Sequence, residues 1–320
     1  MLRMRHEVNG GPGVLVAEEV DRPLAGPGEL LVRTEAIGVT LPTVRKVREG
    51  SGPVAFGGEV AGMVVGVGEG VTSFAVGDRV TGLCFADAYA EYTVLPTAMA
   101  SPVPDGATAV DAVALVRSGL VARGAYEAAH VRPGESVLVT AAASAVGTLA
   151  LQLAKTGGAG RVVAAVSSAD KAAFVRGLGA DEVVLYEDAD WGAPYDVILD
   201  GVGGDLLGPA VRALATGGRL VAFSSGGGTV EAYELLLRGA SLIGFQMRAI
   251  ALGQPDVYAR WRRELWELRD AGTLRTAVHA RIPLREAARA HAVIEERRNL
   301  GKVVLVPEYA DRGGSPAGRS

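Results

Sequence analysis

The sequence predicts an α/β protein in which a β-rich N-terminal part leads into a doubly wound parallel sheet. Three observations carry that expectation. Up to roughly residue 115 the chain consists of short β-type runs punctuated by Gly and Pro. From about Ala109, apolar runs of strand length alternate with segments of helical spacing, the pattern of a parallel sheet covered on both faces. Within that alternation one strand enters a helix through a turn of small residues, Ala141 to Val146.

The elements follow in order. Runs 29–35, 60–67 and 79–83 read as strands, and Gly66, Gly68, Gly70 and Gly77 suit the tight turns between them. Segment 111–129 reads as a helix. Strands are expected at 136–140, 162–166, 182–185, 195–199, 219–223 and 241–244, with helical segments between most of them. A long charged helix covers 255–271. The chain then gives a short run at 279–283, a helix at 284–298 and a strand at 302–306. Residues 308–320 are polar, bear Gly and Pro, and are expected to form a flexible tail. There is no internal repeat.

Composition excludes several function classes. The chain has 320 residues, 49% hydrophobic and 5% aromatic, so its core relies on Ala, Gly and Val and on close backbone approach. A net charge of −4 gives no basic field for nucleic acid. The N-terminal residues lack the apolar run of a signal peptide, and Gly and Glu interrupt the apolar stretch 59–71, so no membrane span is expected. Cys84 is the one cysteine, which rules out an intrachain disulfide and fits a reducing cytoplasm. It also leaves no thiolate-rich zinc site, and His6, His130, His279 and His291 lack ligand spacing. No metal is expected.

The small-residue turn points to a cofactor. A strand that feeds a helix through small residues aims helix N-terminal amides at an anion, usually a dinucleotide pyrophosphate. The turn reads Ala141-x-x-Ser144-x-x-Gly147, so two of three glycine positions hold other small residues. The next apolar run, 162–166, completes a βαβ unit. An NAD-binding unit places Asp or Glu about 20 residues after the turn. Here that place holds Ser167 and Ser168, with Lys171 close behind. Two hydroxyls and a lysine would accept a 2′-phosphate, so NADP(H) is the expected cofactor. Ser167 and Ser168 also read as caps of the helix starting near Asp170, and the two roles are compatible.

Several stretches carry a resemblance. These are 57–80, beginning Gly57-Gly58-Glu59 and ending Gly77-Asp78-Arg79-Val80; Ala88-Tyr89-Ala90-Glu91-Tyr92; 131–139; 179–186; 196–204; Gly217-Gly218-Arg219-Leu220-Val221; 283–291; and Gly301-Lys302-Val303-Val304-Leu305. In this order they resemble the medium-chain dehydrogenase/reductase superfamily, in its zinc-free quinone oxidoreductase and enoyl reductase branch. The resemblance implies a GroES-like β-domain from residues 1–116 and 272–307, with a Rossmann-type NADP(H)-binding domain inserted at 117–271. It places the cofactor between the two and implies a homodimer. Zinc-using members carry Gly-His-Glu where this chain has Gly57-Gly58-Glu59, and their cysteine-rich lobe is missing. Both departures imply a reductase that works without metal.

Position by position, the resemblance assigns Ala143, Ser144, Ala145, Val146 and Gly147 to the pyrophosphate turn, and Lys171 and Tyr186 to the 2′-phosphate. Ser224 and Ser225 fall near the nicotinamide, Phe245 lines the same cleft, and Gly301 and Lys302 fold back toward the cofactor. On the substrate side, Thr40 and Thr43 stand where relatives carry Asn and Asp, and are the candidate catalytic hydroxyls; Val121 replaces a threonine. Tyr89 and Arg117 are further candidates for substrate contact. The implied reaction is hydride transfer from NADPH to a conjugated carbonyl, a quinone or an enone, in the manner of natural-product tailoring reductases. Two other readings stay open. One is an NADPH-binding sensor or structural subunit without turnover. The other is a hydrolase with Ser144 as nucleophile, for which His279 or His291 would supply the base; Ala142 fits such an elbow and Val146 does not.

Overall fold

The computed structural model describes residues 1–53, 55–188, 191–192, 194–223 and 226–309. The first part of the chain contains β1 (Leu2–Arg5), β2 (Val16–Glu19), β3 (Glu29–Val39), α1 (Leu41–Glu49), β4 (Gly58–Val67), β5 (Arg79–Cys84), β6 (Tyr92–Pro96) and β7 (Ala100–Pro102). Then come α2 (Ala109–Ala128), β8 (Ser136–Val139), α3 (Ala145–Thr156), β9 (Arg161–Val166), α4 (Ala172–Arg176), β10 (Glu182–Leu185), β11 (Tyr195–Asp200), α5 (Leu207–Arg212) and β12 (Leu214–Ala222). The chain continues with α6 (Ala232–Arg238), β13 (Ser241–Gly244), α7 (Met247–Gly253), α8 (Pro255–Asp270), β14 (Val278–Pro283), α9 (Ala287–Glu295) and β15 (Lys302–Val306).

Strands β8 to β13 form a six-stranded sheet in the order β10-β9-β8-β11-β12-β13, with every pair parallel. The order runs outward in both directions from β8, as a doubly wound sheet requires. Side-chain alternation explains why both faces are covered. Val137, Val139, Val162, Ala164, Val197 and Leu199 enter one apolar cluster. Leu138, Val163, Ala165 and Ile198 enter a second, closed by Leu207, Ala210 and Val211 of α5.

The other large sheet has seven strands along β14-β15-β3-β4-β5-β7, with β6 paired to β3. Strand β15 pairs antiparallel with β3 and parallel with β14, so both ends of the chain build this sheet. Helix α2 packs between the sheets, touching β3, β4 and β5 on one side and α3 on another. No helix among the described residues is long and apolar enough to cross a membrane.

Some boundaries differ from the sequence reading for identifiable reasons. Helix α2 starts at Ala109 because Thr108 and Asp111 form a reciprocal capping box, worth about 1 kcal/mol. Strand β12 starts at Leu214, five positions before the expected 219, because a register shift beyond Tyr195 carries the pairing through Gly217 and Gly218. The expected helix 284–298 is a 3-10 turn at Leu284–Glu286 followed by α9, and the chain leaves it near Arg297 at φ +53°. The stretch read as a loose tail begins anchored: the Tyr309 hydroxyl donates to the carbonyls of Thr34 and Glu91. The remainder, 310–320, lies outside the described residues.

At the C-terminal end of β11, fully buried Asp200 ties the turns after β8 and β11 together. Its Oδ1 accepts from Thr140 Oγ1 at 2.7 Å and from the Val202 amide at 3.1 Å, and Oδ2 accepts from the Gly203 amide at 3.0 Å. Asp200→Ala strands these buried donors. It is expected to lower stability by about 3 kcal/mol, read as a clear drop in Tm by circular dichroism. An unchanged Tm would show that water replaces the carboxylate.

Candidate functional site

The C-terminal ends of β8, β9 and β11 open onto a cleft of about 640 Å³ between the two large sheets. This is where an open parallel sheet binds ligands, because the strand order reverses beside β8. The cleft brings together Thr40, Ala143, Ser144, Ala145, Val146 and Ser167, along with Lys171, Tyr186, Gly301 and Lys302. It does not include Thr43, Gly147, Ser168 or Phe245 in its lining. Ser224 and Ser225 lie outside the described residues.

The turn between β8 and α3 is held from several sides. Ala141 sits at φ +50°, an unfavoured conformation for a residue with a side chain. Its amide is fixed by donation to the Tyr186 hydroxyl at 2.9 Å. Ser144 caps α3, its Oγ accepting from the Gly147 amide at 3.0 Å. That bond uses one of the free amides of the first helical turn and leaves the others unpaired within the helix. Gly147 is buried beneath the turn, where an added Cβ would lie 2.1 Å from the Ala141 carbonyl oxygen. Glycine is therefore needed at 147 for space, while the other two positions tolerate alanine and serine. The Gly301 amide, at φ +89°, donates to the Ala143 carbonyl at 2.7 Å and brings the C-terminal stretch onto the turn.

Beyond β9, the Lys171 ammonium donates to Ser167 Oγ at 3.0 Å and to the Arg297 carbonyl. Burial, and the neighbouring Arg297 charge, hold it below the ordinary lysine range, while Asp170 acts the other way. Burial raises the Tyr186 hydroxyl, so it stays neutral. Arg297 lines the same corner and was missed by sequence reasoning. Its one signal was the basic pair Arg297-Arg298 just before Gly301. Ser168 holds the N-cap position of the 3-10 turn at Ala169–Lys171, but its hydroxyl bonds the Asp170 side chain instead of a backbone amide.

The substrate-side candidates divide. Thr40 lines the cleft, whereas Thr43 is buried, donating to the Gly57 carbonyl and sharing a bond with Thr40 Oγ1, each at 3.1 Å. Thr43 thus fixes the start of α1 and positions its neighbour. Phe245 packs its ring against Gly124 and Trp261 instead of the cleft. Tyr89 is fully buried and bonds His291 Nε2 at 3.2 Å. Arg117 and Val121 do line the cleft, and Arg117 reaches Glu59 Oε1 at 3.3 Å. Glu59 also pairs with Lys302 at 2.5 Å.

Two other chemistries lack their parts. For Ser144 as a nucleophile, no histidine base is paired with it among the described residues: its oxygen is engaged by Gly147, His291 is turned to Tyr89, and His279 accepts from the Leu300 amide. Burial also lowers His291 to about 4. For a metal, no three His, Cys, Asp or Glu side chains converge among the described residues. Cys84 is buried, with its thiol pushed up to about 12 by desolvation. At position 58 a Cβ would already lie 3.3 Å from that of Ala88. Among the described residues, then, no group of three such donors is assembled.

Comparison with known proteins agrees with this geometry. Residues 26–105 match the alcohol dehydrogenase GroES-like domain, and residues 178–305 match a zinc-binding dehydrogenase domain. The chain is 33% identical to a quinone oxidoreductase of Pseudomonas aeruginosa, over 95% of this chain and 99% of the relative. It is 31% identical to a 2-haloacrylate reductase of Burkholderia, over 93% of this chain and 97% of the relative. A mycobacterial protein solved in complex with NADPH superposes with a TM-score of 0.90 at 32% identity, covering 96% of this chain and all of the other. With its two sheets, its cleft and these relatives in agreement, the chain belongs to the medium-chain dehydrogenase/reductase superfamily of oxidoreductases, in the quinone oxidoreductase branch.

Proposed function

We propose that this chain is a zinc-independent, NADPH-dependent reductase of a conjugated carbonyl, either a quinone or an enone. The observation that carries the cofactor choice is the corner beyond β9. Ser167, Lys171, Tyr186 and Arg297 converge there, and Ser167 follows the strand directly where an NAD site would carry an acid. Lys171 and Arg297 would hold a 2′-phosphate by charge-assisted hydrogen bonds. The unpaired amides at the start of α3, beside Ala145 and Val146, would hold the pyrophosphate. NADPH, when bound, supplies the hydride that reduces the β-carbon of the substrate. The protein's part is to orient the carbonyl, exclude water and stabilise the charge that grows on its oxygen. Relatives named for quinone oxidation-reduction and 2-haloacrylate reduction, and the NADPH complex of the mycobacterial neighbour, support this reading.

The reading extends to assembly. Strand β13 is an edge of the six-stranded sheet, and Leu242 on it is exposed. Tyr233, Leu236 and Leu237 on the preceding α6 are exposed as well. An open edge flanked by apolar side chains favours pairing with a second copy, so we propose a homodimer joined there. Leu237→Glu is expected to shift the mass seen by light scattering from dimer to monomer; a monomeric wild type would contradict the proposal.

Fluorescence titration tests the cofactor site. The wild type is expected to bind NADPH more tightly than NADH. Lys171→Ala should weaken NADPH about tenfold, as loss of a charged hydrogen bond implies, and leave NADH unaffected. Tyr186→Phe strands the Ala141 amide and should weaken both nucleotides alike. Equal affinity for the two nucleotides, or NADPH binding without oxidation by any quinone or enone, would contradict the reductase reading; the second result would favour a sensor.

A further inference from the structure

The cleft wall holds a buried charge cluster to which the proposed function has given no part in the chemistry. Lys302 is 2% exposed and Glu59 1%, yet Lys302 lines the cleft beside Thr40 and Arg117. The Lys302 ammonium donates to Glu59 Oε1 at 2.5 Å, and Arg117 Nη1 reaches the same oxygen at 3.3 Å. Two cations thus share one carboxylate. Glu59 Oε2 and Arg117 Nε are buried without partners among the described residues. An ammonium has three donors, and Glu59 is the one partner described for this one. No second partner is described for it, and the residue lines the cleft.

The backbone is shaped to hold this pair. Gly38 on β3 lies between Glu59 on β4 and the β15 strand that carries Lys302. An added Cβ at Gly38 would lie 2.7 Å from Lys302 Cε and 2.8 Å from Glu59 Cγ. The glycine is required by the ion pair's volume. Burying an ammonium this fully costs free energy that one shared carboxylate offsets only in part. A cation kept at such cost, on a residue that lines a cleft, is suited to meet negative charge there.

We infer that Lys302 donates a hydrogen bond, and then a proton, to the carbonyl oxygen of the substrate, with Glu59 as its positioning residue and Arg117 as a second cation. The inference rests on the reductase reading above. When the β-carbon accepts hydride, the C=C electron pair shifts and negative charge collects on the carbonyl oxygen. One N–H bond of Lys302 breaks and one O–H bond forms, giving an enol. From a quinone this enol is the keto tautomer of the hydroquinone, which forms when the hydride-bearing carbon loses a proton to water and the second carbonyl oxygen gains one from water. The lone pair left on Nζ then takes a proton from water. The ammonium performs the polarising task that a metal performs in zinc-using dehydrogenases.

The charges facing Lys302 make the inference testable by pH. Burial lowers its ammonium, Glu59 from β4 raises it, and Arg117 from α2 lowers it. Strand β3 contributes Gly38 and strand β14 contributes Val278 alongside it. Tyr89 faces Glu59, and its hydroxyl is pushed up by burial, so it stays neutral. Activity needs the charged ammonium, so kcat falls as pH rises through the Lys302 midpoint. Glu59→Gln should move that limb to lower pH, and Arg117→Gln to higher pH.

Lys46, Lys155, Lys171 and Lys302 are the lysines of the chain, so [13Cε]lysine NMR of the full ligand-free protein resolves Lys302, assigned by Lys302→Met. The NMR midpoint is expected below that of an ordinary lysine, moving down in Glu59→Gln and up in Arg117→Gln, with the alkaline limb of kcat following both. At saturating NADPH, Lys302→Met should lose about 100-fold in kcat, as does loss of one oxyanion donor elsewhere; Lys302→Arg should recover part of it. An alkaline limb that stays fixed while the NMR midpoint moves overturns the inference, as does a wild-type rate in Lys302→Met. If Lys302→Met does not fold, the opposed shifts of the Gln variants still decide. A wild type that binds NADPH but reduces no quinone or enone overturns the reductase reading, and the inference with it.

Discussion

The cleft depends on one crossing of the chain, where the Gly301 amide donates to the Ala143 carbonyl at 2.7 Å. That contact pins the C-terminal stretch to the turn between β8 and α3, and with it the two large sheets. The crossing is possible because both sides are nearly bare of side chain. At Gly301 a Cβ would lie 2.3 Å from the Ala277 carbonyl oxygen, and φ is +89°. Four residues before the crossing, Arg297 is delivered to the corner beyond β9; one residue after it, Lys302 is delivered to the opposite wall. A single close approach of backbones therefore sets both charged ends of the site.

The two ends differ in how their charge is held. At Lys171 the ammonium donates to neutral oxygens, Ser167 Oγ and the Arg297 carbonyl, and Asp170 acts on it only through space, so no carboxylate is bonded to it. At Lys302 the charge is paired, but with a carboxylate that a second cation shares. Desolvation acts in the same direction on both lysines, lowering them. The first arrangement suits a permanent phosphate. The second suits an oxygen whose charge comes and goes, because an ammonium with a lowered midpoint gives up its proton more readily.

Much of the fold was legible in the sequence because it rests on local patterns. Short apolar runs alternating with helical segments marked every strand of the six-stranded sheet, and β10 and β13 fall on the predicted residues. The small-residue turn was legible because helix, strand and turn chemistry all coincide between Glu135 and Lys155. What escaped was set by contacts between distant segments. Thr43 and Phe245 stand near cleft residues in sequence, but their side chains are claimed by Gly57 and by Gly124 with Trp261. Ser167 and Ser168 both follow β9, but Ser168 is claimed by Asp170 while Ser167 lines the cleft. Glu59 was visible as part of a signature, while its partnership with Lys302 spans 243 positions and leaves no local trace.

The proposed function puts a phosphorylated dinucleotide in one cleft, along the turn between β8 and α3. A crystal structure of the NADPH complex tests it most directly. The account predicts the pyrophosphate against the amides beside Ala145 and Val146, and the 2′-phosphate within hydrogen-bonding distance of Lys171 and Arg297. A 2′-phosphate turned to solvent, or a cofactor lying away from that turn, would contradict it.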